Sequence, residues 1–252
     1  MSALLLAMLG GAVVGLLLTL FGGGGSVLAT PWLIYVVGVA DPHLAIGTSA
    51  AAVAVNAATG LTAQARAGMV KWPCAIIFAS SGLAGALIGA HLAKQMDGRA
   101  LLVWFAFAMI AIAVSMLLPK RNEGDPEVRI DAAKVRPLAT LGLAAGLAAG
   151  FFGIGGGFLI APGLMAATGM TLANAGASSL VSVAVFGSAT SASYAASGLV
   201  SWPLFVALVA GGGIGTLIAL PLSRRLARQP RAARSVFAVM VMAVAGYILI
   251  AR

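Results

Sequence analysis

FGGGGSVLATP at 21–31 and FGIGGGFLIAP at 152–162 decide the fold of this chain. The two stretches stand 131 residues apart, and the likeness spreads outward from them. Upstream, Gly11, Gly15 and Leu16 meet Gly142, Gly146 and Leu147; downstream, Leu33 and Gly38 meet Leu164 and Gly169. After a one-residue slip the match resumes at an offset of 130. Ser49 and Val53 meet Ser179 and Val183, and Gly68, Val70, Trp72 and Pro73 meet Gly198, Val200, Trp202 and Pro203. Gly82, Gly85 and Leu87 meet Gly212, Gly215 and Leu217. The chain is a duplicated, glycine-punctuated apolar unit, a construction that places a binding site between two halves.

Hydrophobic residues make up 61% of the chain and charged residues 8%, against about 25% charged in a soluble domain. So little charge does not cover a surface facing water, and lipid is the expected solvent. The net charge of +9 sits in short clusters between apolar segments, where it sets topology and does not suggest nucleic acid. The single cysteine, Cys74, excludes an internal disulfide and a thiolate metal cluster. The first apolar stretch lacks the basic start of a secretory signal and reads as a retained membrane segment.

Five apolar segments appear in each half: 3–21, 26–40, 44–65, 72–93 and 100–118, then 138–152, 157–171, 174–197, 202–222 and 232–250. The expected fold is all-α and polytopic: a first transmembrane repeat at 1–118, a linker at 119–136 and a second repeat at 137–252. The second segment of each half has about 15 residues where a full span needs about 20, so it is expected to be broken or re-entrant. An odd number of crossings per half puts Arg66, Lys71 and the basic residues of 119–136 and 223–235 on one side, with Lys94, Arg99 and Arg252 opposite, twelve against three. An even number gives eight against seven. The positive-inside rule selects the odd count. The halves are then inverted, the 119–136 and 223–235 loops are cytoplasmic, and the termini are periplasmic.

Four adjacent glycines interrupt a helix. Gly22, Gly23, Gly24, Gly25 and Ser26 in the first run, and Gly153, Gly155, Gly156 and Gly157 in the second, are therefore expected to leave backbone N–H groups at the start of the next helix. In hydrocarbon such donors need an acceptor, and the helix dipole makes an anion a suitable one. The other reading, close packing of small residues, fits the G-x-x-x-G pairs Gly11/Gly15 and Gly142/Gly146 better than it fits four glycines in a row. No Gly-Lys-Ser/Thr follows either run, which excludes a nucleotide P-loop.

Thr48 and Ser49, and their counterparts Ser178 and Ser179, open the third segment of each half; they serve as caps or as donors to a ligand. Asn56, with Phe186 as its counterpart, serves as an inter-helix hydrogen bond or a ligand contact. Trp72 and Trp202 read as interface anchors. The six carboxylates, Asp41, Asp97, Glu123, Asp125, Glu127 and Asp131, all fall in or beside loops. A site of N–H and O–H donors without an internal acid suits an anion and not a cation. No nucleophile–base pair and no metal-ligand cluster has recognisable spacing, so no catalytic residue, metal or cofactor is expected, and an enzyme is the least favoured class.

The paired glycine motifs, HLAIGTSA at 43–50, NAGASSL at 174–180 and the duplicated Gly-x-Val-x-Trp-Pro resemble the TauE/SafE family of sulfite exporters and sulfonate permeases over nearly the whole chain. The first motif departs from the second with Gly23 in place of Ile154 and Ser26 in place of Gly157. The resemblance implies transport of a small sulfur-containing anion, such as sulfite, thiosulfate or an organosulfonate, across a bacterial inner membrane. The expected partners are that anion and the lipid bilayer, with a homodimer left open. An anion channel and a non-transporting membrane subunit stand as the alternatives.

Overall fold

Gly22 stops the first helix. Its φ of +66° and ψ of −148° lie where an L side chain is disfavoured, and α1 (Ala3–Phe21) ends against it. The chain continues as a 3₁₀ helix (Gly22–Leu28), one α turn, α2 (Ala29–Pro31), and a π turn (Trp32–Val36). Pro31 lacks an N–H and so cannot complete the α pattern, which accompanies the wider winding after it. This irregular stretch folds back along α1. The Trp32 indole N–H donates to the Leu6 carbonyl at 2.9 Å, and Gly25 lies on the backbone of Leu17 and Leu18. In one straight helix Leu6 and Trp32 would stand about 39 Å apart. The apolar stretch from Ala3 to Val36 is therefore two antiparallel passes. A 3₁₀ rise of about 2 Å per residue helps the short second pass return almost the length of the first.

The computed structural model describes residues 2–117, 124, 125, 128, 131–152, 157–226 and 230–250. After the fold-back come α3 (Pro42–Arg66), α4 (Trp72–Ala93), α5 (Gly98–Leu117), α6 (Ala132–Phe152), α7 (Gly157–Thr168), α8 (Leu172–Ala195), α9 (Trp202–Leu226) and α10 (Pro230–Ile250). The protein is all-α and polytopic. Among the described residues, six apolar helical stretches have the length to cross a membrane, the first being Ala3–Val36, which the fold-back divides. α6 starts inside the stretch expected as linker, with Lys134 and Arg136 on its first turns. The preceding chain is tied down where Asp125 N–H donates to Gly169 O at 2.8 Å.

Glycines set the pairing of the helices. Gly11 and Gly15 of α1 rest on Leu208 and Gly212 of α9, and Gly211 and Gly215 of α9 rest on Met8 and Ala12, so these helices run parallel. In the same way Gly82 and Gly89 of α4 meet Gly142 and Leu147 of α6, and Gly150 meets Ala86. A Cβ at Gly15 would enter the Gly212 carbonyl, and one at Gly146 would enter that of Gly82. The G-x-x-x-G pairs therefore pack backbone on backbone. α3 and α8 occupy corresponding places in the repeat and run antiparallel: Gly47 lies beside Tyr194, Gly187 beside Ala50 and Ala54, and Gly60 beside Leu180. Each half thus leans on the other through exchanged pairs, α1 with α9 and α6 with α4. α5 and α10 join through Phe105, Met109, Val241 and Ala245.

Lys71 and Lys134 lie at one end of this bundle, where α4 and α6 begin. Lys94 lies at the other, with the start of α1 and with Tyr247, whose ring meets Tyr35 edge-on. Outward faces are apolar, with Trp104, Phe107, Val206 and Leu217 more than half exposed, as lipid contact requires.

Candidate functional site

The first glycine run is wholly buried from Gly22 to Ser26. Gly22 crosses the backbone of Gly176 in α8, with no room for a side chain between them. One turn further along α8, the Ser179 hydroxyl accepts from Gly23 N–H at 2.9 Å and donates to Gly176 O at 2.7 Å. Ser26 Oγ donates to Gly23 O at 2.8 Å. The run therefore does not leave all of its amide protons bare. It rewinds as 3₁₀ helix and borrows a hydroxyl from the other half, because apolar surroundings supply no water to do the same. In the second run Gly153, Gly155 and Gly156 lie outside the described residues, and Gly157 opens α7.

The paired hydroxyls divide their work. Thr48 Oγ1 accepts from Ser201 N–H at 2.9 Å, and Ser178 Oγ accepts from Lys71 N–H at 2.8 Å. Ser201 and Lys71 are themselves counterparts, each just before a helix of the opposite half. Thr48 and Ser178 thus brace the starts of α9 and α4, a cross-brace between halves and not a cap on their own helices. Ser49 Oγ shares a hydrogen bond of 2.7 Å with Thr30 Oγ1 and donates to Ile46 O at 3.0 Å.

Ser49 and Ser179 do not converge. With Leu180 beside Gly60 and Gly187 beside Ala50 and Ala54, Ser179 lies some eleven residues along α3 from Ser49, or ~17 Å at 1.5 Å per residue. No small anion spans that gap. The two sets of predicted residues are two stations along the α3–α8 interface. Asn56 stands between them, seven residues after Ser49 on the same helical face.

Asn56 is 2% exposed. Its amide lies flat on Gly212, its Nδ2 makes a long bond of 3.4 Å to Leu208 O, and its Oδ1 has no partner. Thr216, one turn past Gly212, is 6% exposed, and its hydroxyl is also unpartnered. On α1 at the same level, Thr19 Oγ1 donates to Gly15 O at 2.8 Å. Between them lies Gly60, where a Cβ would touch only Leu180 at 3.6 Å and Thr19 Oγ1 at 3.8 Å. This is ordinary contact, unlike the collisions at the packing glycines. Sequence reasoning missed Thr19, Thr30 and Thr216. Their counterparts, Gly150, Ala161 and Ala86, mark each of them as a break in the repeat, the same signal that picked out Asn56.

The described acids, Asp41, Asp97, Asp125 and Asp131, are exposed and lie between helices. Among the described residues no three His, Cys, Asp or Glu side chains gather as a metal site. Among the described residues the buried polar side chains are therefore hydroxyls and two amides, Asn56 and Asn174.

A bundle of interlocked, glycine-seamed apolar helices of membrane-crossing length defines a polytopic integral membrane protein. The family model described as "Sulfite exporter TauE/SafE" matches residues 7–248, and the chain belongs to this family. A "Probable membrane transporter protein" of Xylella fastidiosa (strain Temecula1) is 44% identical over 247 residues, covering 95% of this chain and 92% of the relative. The protein of the same description in strain 9a5c is 42% identical over 244 residues, covering 95% and 92%. "Probable membrane transporter protein YunE" of Bacillus subtilis is 26% identical over 249 residues, covering 90% of each chain. No solved structure matches the chain. The protein is a multi-pass membrane transporter.

Proposed function

We propose that this transporter is a secondary carrier of a small sulfur-containing anion, such as sulfite, thiosulfate or an organosulfonate, in a bacterial inner membrane. The observation that carries this reading is the buried Gly23 N–H paired with Ser179 Oγ at 2.9 Å. A hydroxyl oxygen occupies the place an anion's oxygen takes at such a donor, and no described acid lies in the membrane-spanning helices to oppose negative charge. The family match, whose description names sulfite export, supports the choice of anion.

In this reading the anion moves along the α3–α8 interface between two stations. One comprises Gly22–Ser26 and Ser179. The other is built around Ser49, which pairs with Thr30 at 2.7 Å. Asn56 lies between them. The anion displaces Ser179 from Gly23, and Ser179 recovers the amide once the anion leaves, so that neither state strands a buried donor. Thr48 and Ser178 hold the two halves in register while the halves, inverted across the bilayer, rock about the α3–α8 contact. The connections from α5 to α6 and from α9 to α10 face the cytoplasm and the termini the periplasm.

Counterflow tests this directly. Proteoliposomes loaded with unlabelled sulfite are expected to accumulate labelled sulfite transiently, and folded Gly24→Val protein to do so about tenfold more slowly or worse. Undiminished counterflow in that variant removes the glycine turn from the mechanism, and conductive flux without counterflow replaces the carrier by a channel.

A further inference from the structure

Four features meet where α1, α3 and α9 come together. Asn56 Oδ1 is an unpartnered acceptor on a side chain 2% exposed. Its orientation is fixed, because turning the amide over would set two oxygens against each other at Leu208 O, to which Nδ2 now donates. Thr216 brings a second unpartnered atom, on a side chain 6% exposed. Beside them Gly60 leaves room for at least a methyl group, bounded by Thr19 Oγ1 and Leu180 Cδ1. In the other half the corresponding place is closed. Phe186 lies against Gly82, Ala86 against Gly150, and Thr190 stands where Gly60 does.

An amide oxygen accepts hydrogen bonds and cannot bind a bare anionic oxygen. Resting on the anion-carrier reading above, we infer that the α1–α3–α9 junction is a subsite for the hydrogen-bearing end of the transported anion. Its O–H or N–H donates to Asn56 Oδ1 beside Thr216, while its oxyanion end faces the neighbouring Gly22–Gly23 turn. Ser179 at that turn is adjacent in sequence to Leu180, whose Cδ1 borders the space at Gly60, and this sets the two places beside each other. The carrier therefore selects anions that carry a donor, and Asn56 is a specificity-determining residue. A site that leaves a buried acceptor unpaired rejects the analogue lacking the donor.

Three anions of one skeleton test this: ethanesulfonate, 2-hydroxyethanesulfonate and 2-aminoethanesulfonate, titrated calorimetrically into the purified full-length protein. The wild type is expected to bind the hydroxy or the amino anion at least about tenfold tighter than ethanesulfonate, and the stronger of the two identifies an O–H or an N–H donor. Asn56→Leu is expected to bring the ratio close to one. The isosteric Thr216→Val lowers it about threefold, the worth of one neutral hydrogen bond, and keeps the test available should Asn56→Leu not fold. Equal affinities in the wild type, or an undiminished ratio in folded Asn56→Leu, overturn the donor requirement and leave the anion carrier standing. Failure of all three anions, and of sulfite, to bind overturns the carrier reading and the subsite together.

Discussion

The junction of α1, α3 and α9 and the junction of α6, α8 and α4 share one backbone plan and differ in chemistry. Gly15 on Gly212 in the first is Gly146 on Gly82 in the second. Over that crossing the first places Asn56 and the second Phe186, both almost fully buried. The first carries unpartnered atoms on two helices, Asn56 Oδ1 and Thr216 Oγ1. The second carries a ring and an alanine, with two unpartnered hydroxyls on α8, Ser182 Oγ and Thr190 Oγ1, one turn to either side of Phe186. A buried polar atom without a partner costs about 1–3 kcal/mol, whereas a buried phenylalanine stabilises. Duplication supplied two equal frames. At the same place one holds an unpartnered amide acceptor and the other an aromatic ring.

Truncating the apolar junction sharpens the contrast most. Phe186→Ala is expected to cost about 3–5 kcal/mol of stability, read by chemical unfolding in detergent, with anion affinity of the folded fraction unchanged. A change below about 1 kcal/mol makes Phe186 something other than a packing residue. Next come the shared glycines. Gly15→Ala and Gly146→Ala each drive a methyl into a backbone carbonyl and are expected to cost about 3 kcal/mol, the upper end of the usual overpacking range. The two losses should agree closely, and a large inequality breaks the claim that the frames are equivalent.

Asn56→Leu has the opposite sign. Exchanging an under-satisfied amide for a hydrocarbon of similar size is expected to raise the stability of the ligand-free protein by about 1–3 kcal/mol, and a clear loss means that the amide is structural. The smallest effects belong to the cross-braces. Thr48→Val and Ser178→Ala each strip one acceptor from the N–H of Ser201 or Lys71 and are expected to cost about 1 kcal/mol apiece, with little effect on the ratio of affinities among anions.

Much of this comparison is legible in the residues themselves. Gly11, Gly15, Gly142 and Gly146 announce close helix packing by their spacing, and the break at Gly22 follows from four consecutive glycines. What the residues do not carry is which half each one touches. Thr48 and Ser178 read as caps or ligands because the braced N–H groups, at Ser201 and Lys71, lie over a hundred residues away and become neighbours only when the halves interlock. Ser49 and Ser179 read as one cluster because equivalence in a repeat looks like proximity. Antiparallel α3 and α8 separate them instead. Thr19 and Thr216 carry no local mark, since a threonine in an apolar helix usually satisfies itself on the preceding turn, and only the comparison with Gly150 and Ala86 exposes them. The fold-back from Gly22 to Val36 is half visible. The segment is too short for an ordinary span, but its return along α1 depends on the positive φ of Gly22 and on Trp32 reaching Leu6.

The stabilisation that the tighter-binding of 2-hydroxyethanesulfonate and 2-aminoethanesulfonate confers on three forms of the full-length protein, wild type, Asn56→Leu and Phe186→Leu, tests the division of labour most directly. A ligand at one hundred times its dissociation constant adds about 2.7 kcal/mol to the folded state, which a melting curve resolves. The division predicts that this gain survives in Phe186→Leu, although that protein starts less stable, and falls to about 1.4 kcal/mol at the same ligand concentration in Asn56→Leu, although that protein starts more stable. A full gain in Asn56→Leu, or equal loss in both variants, contradicts it.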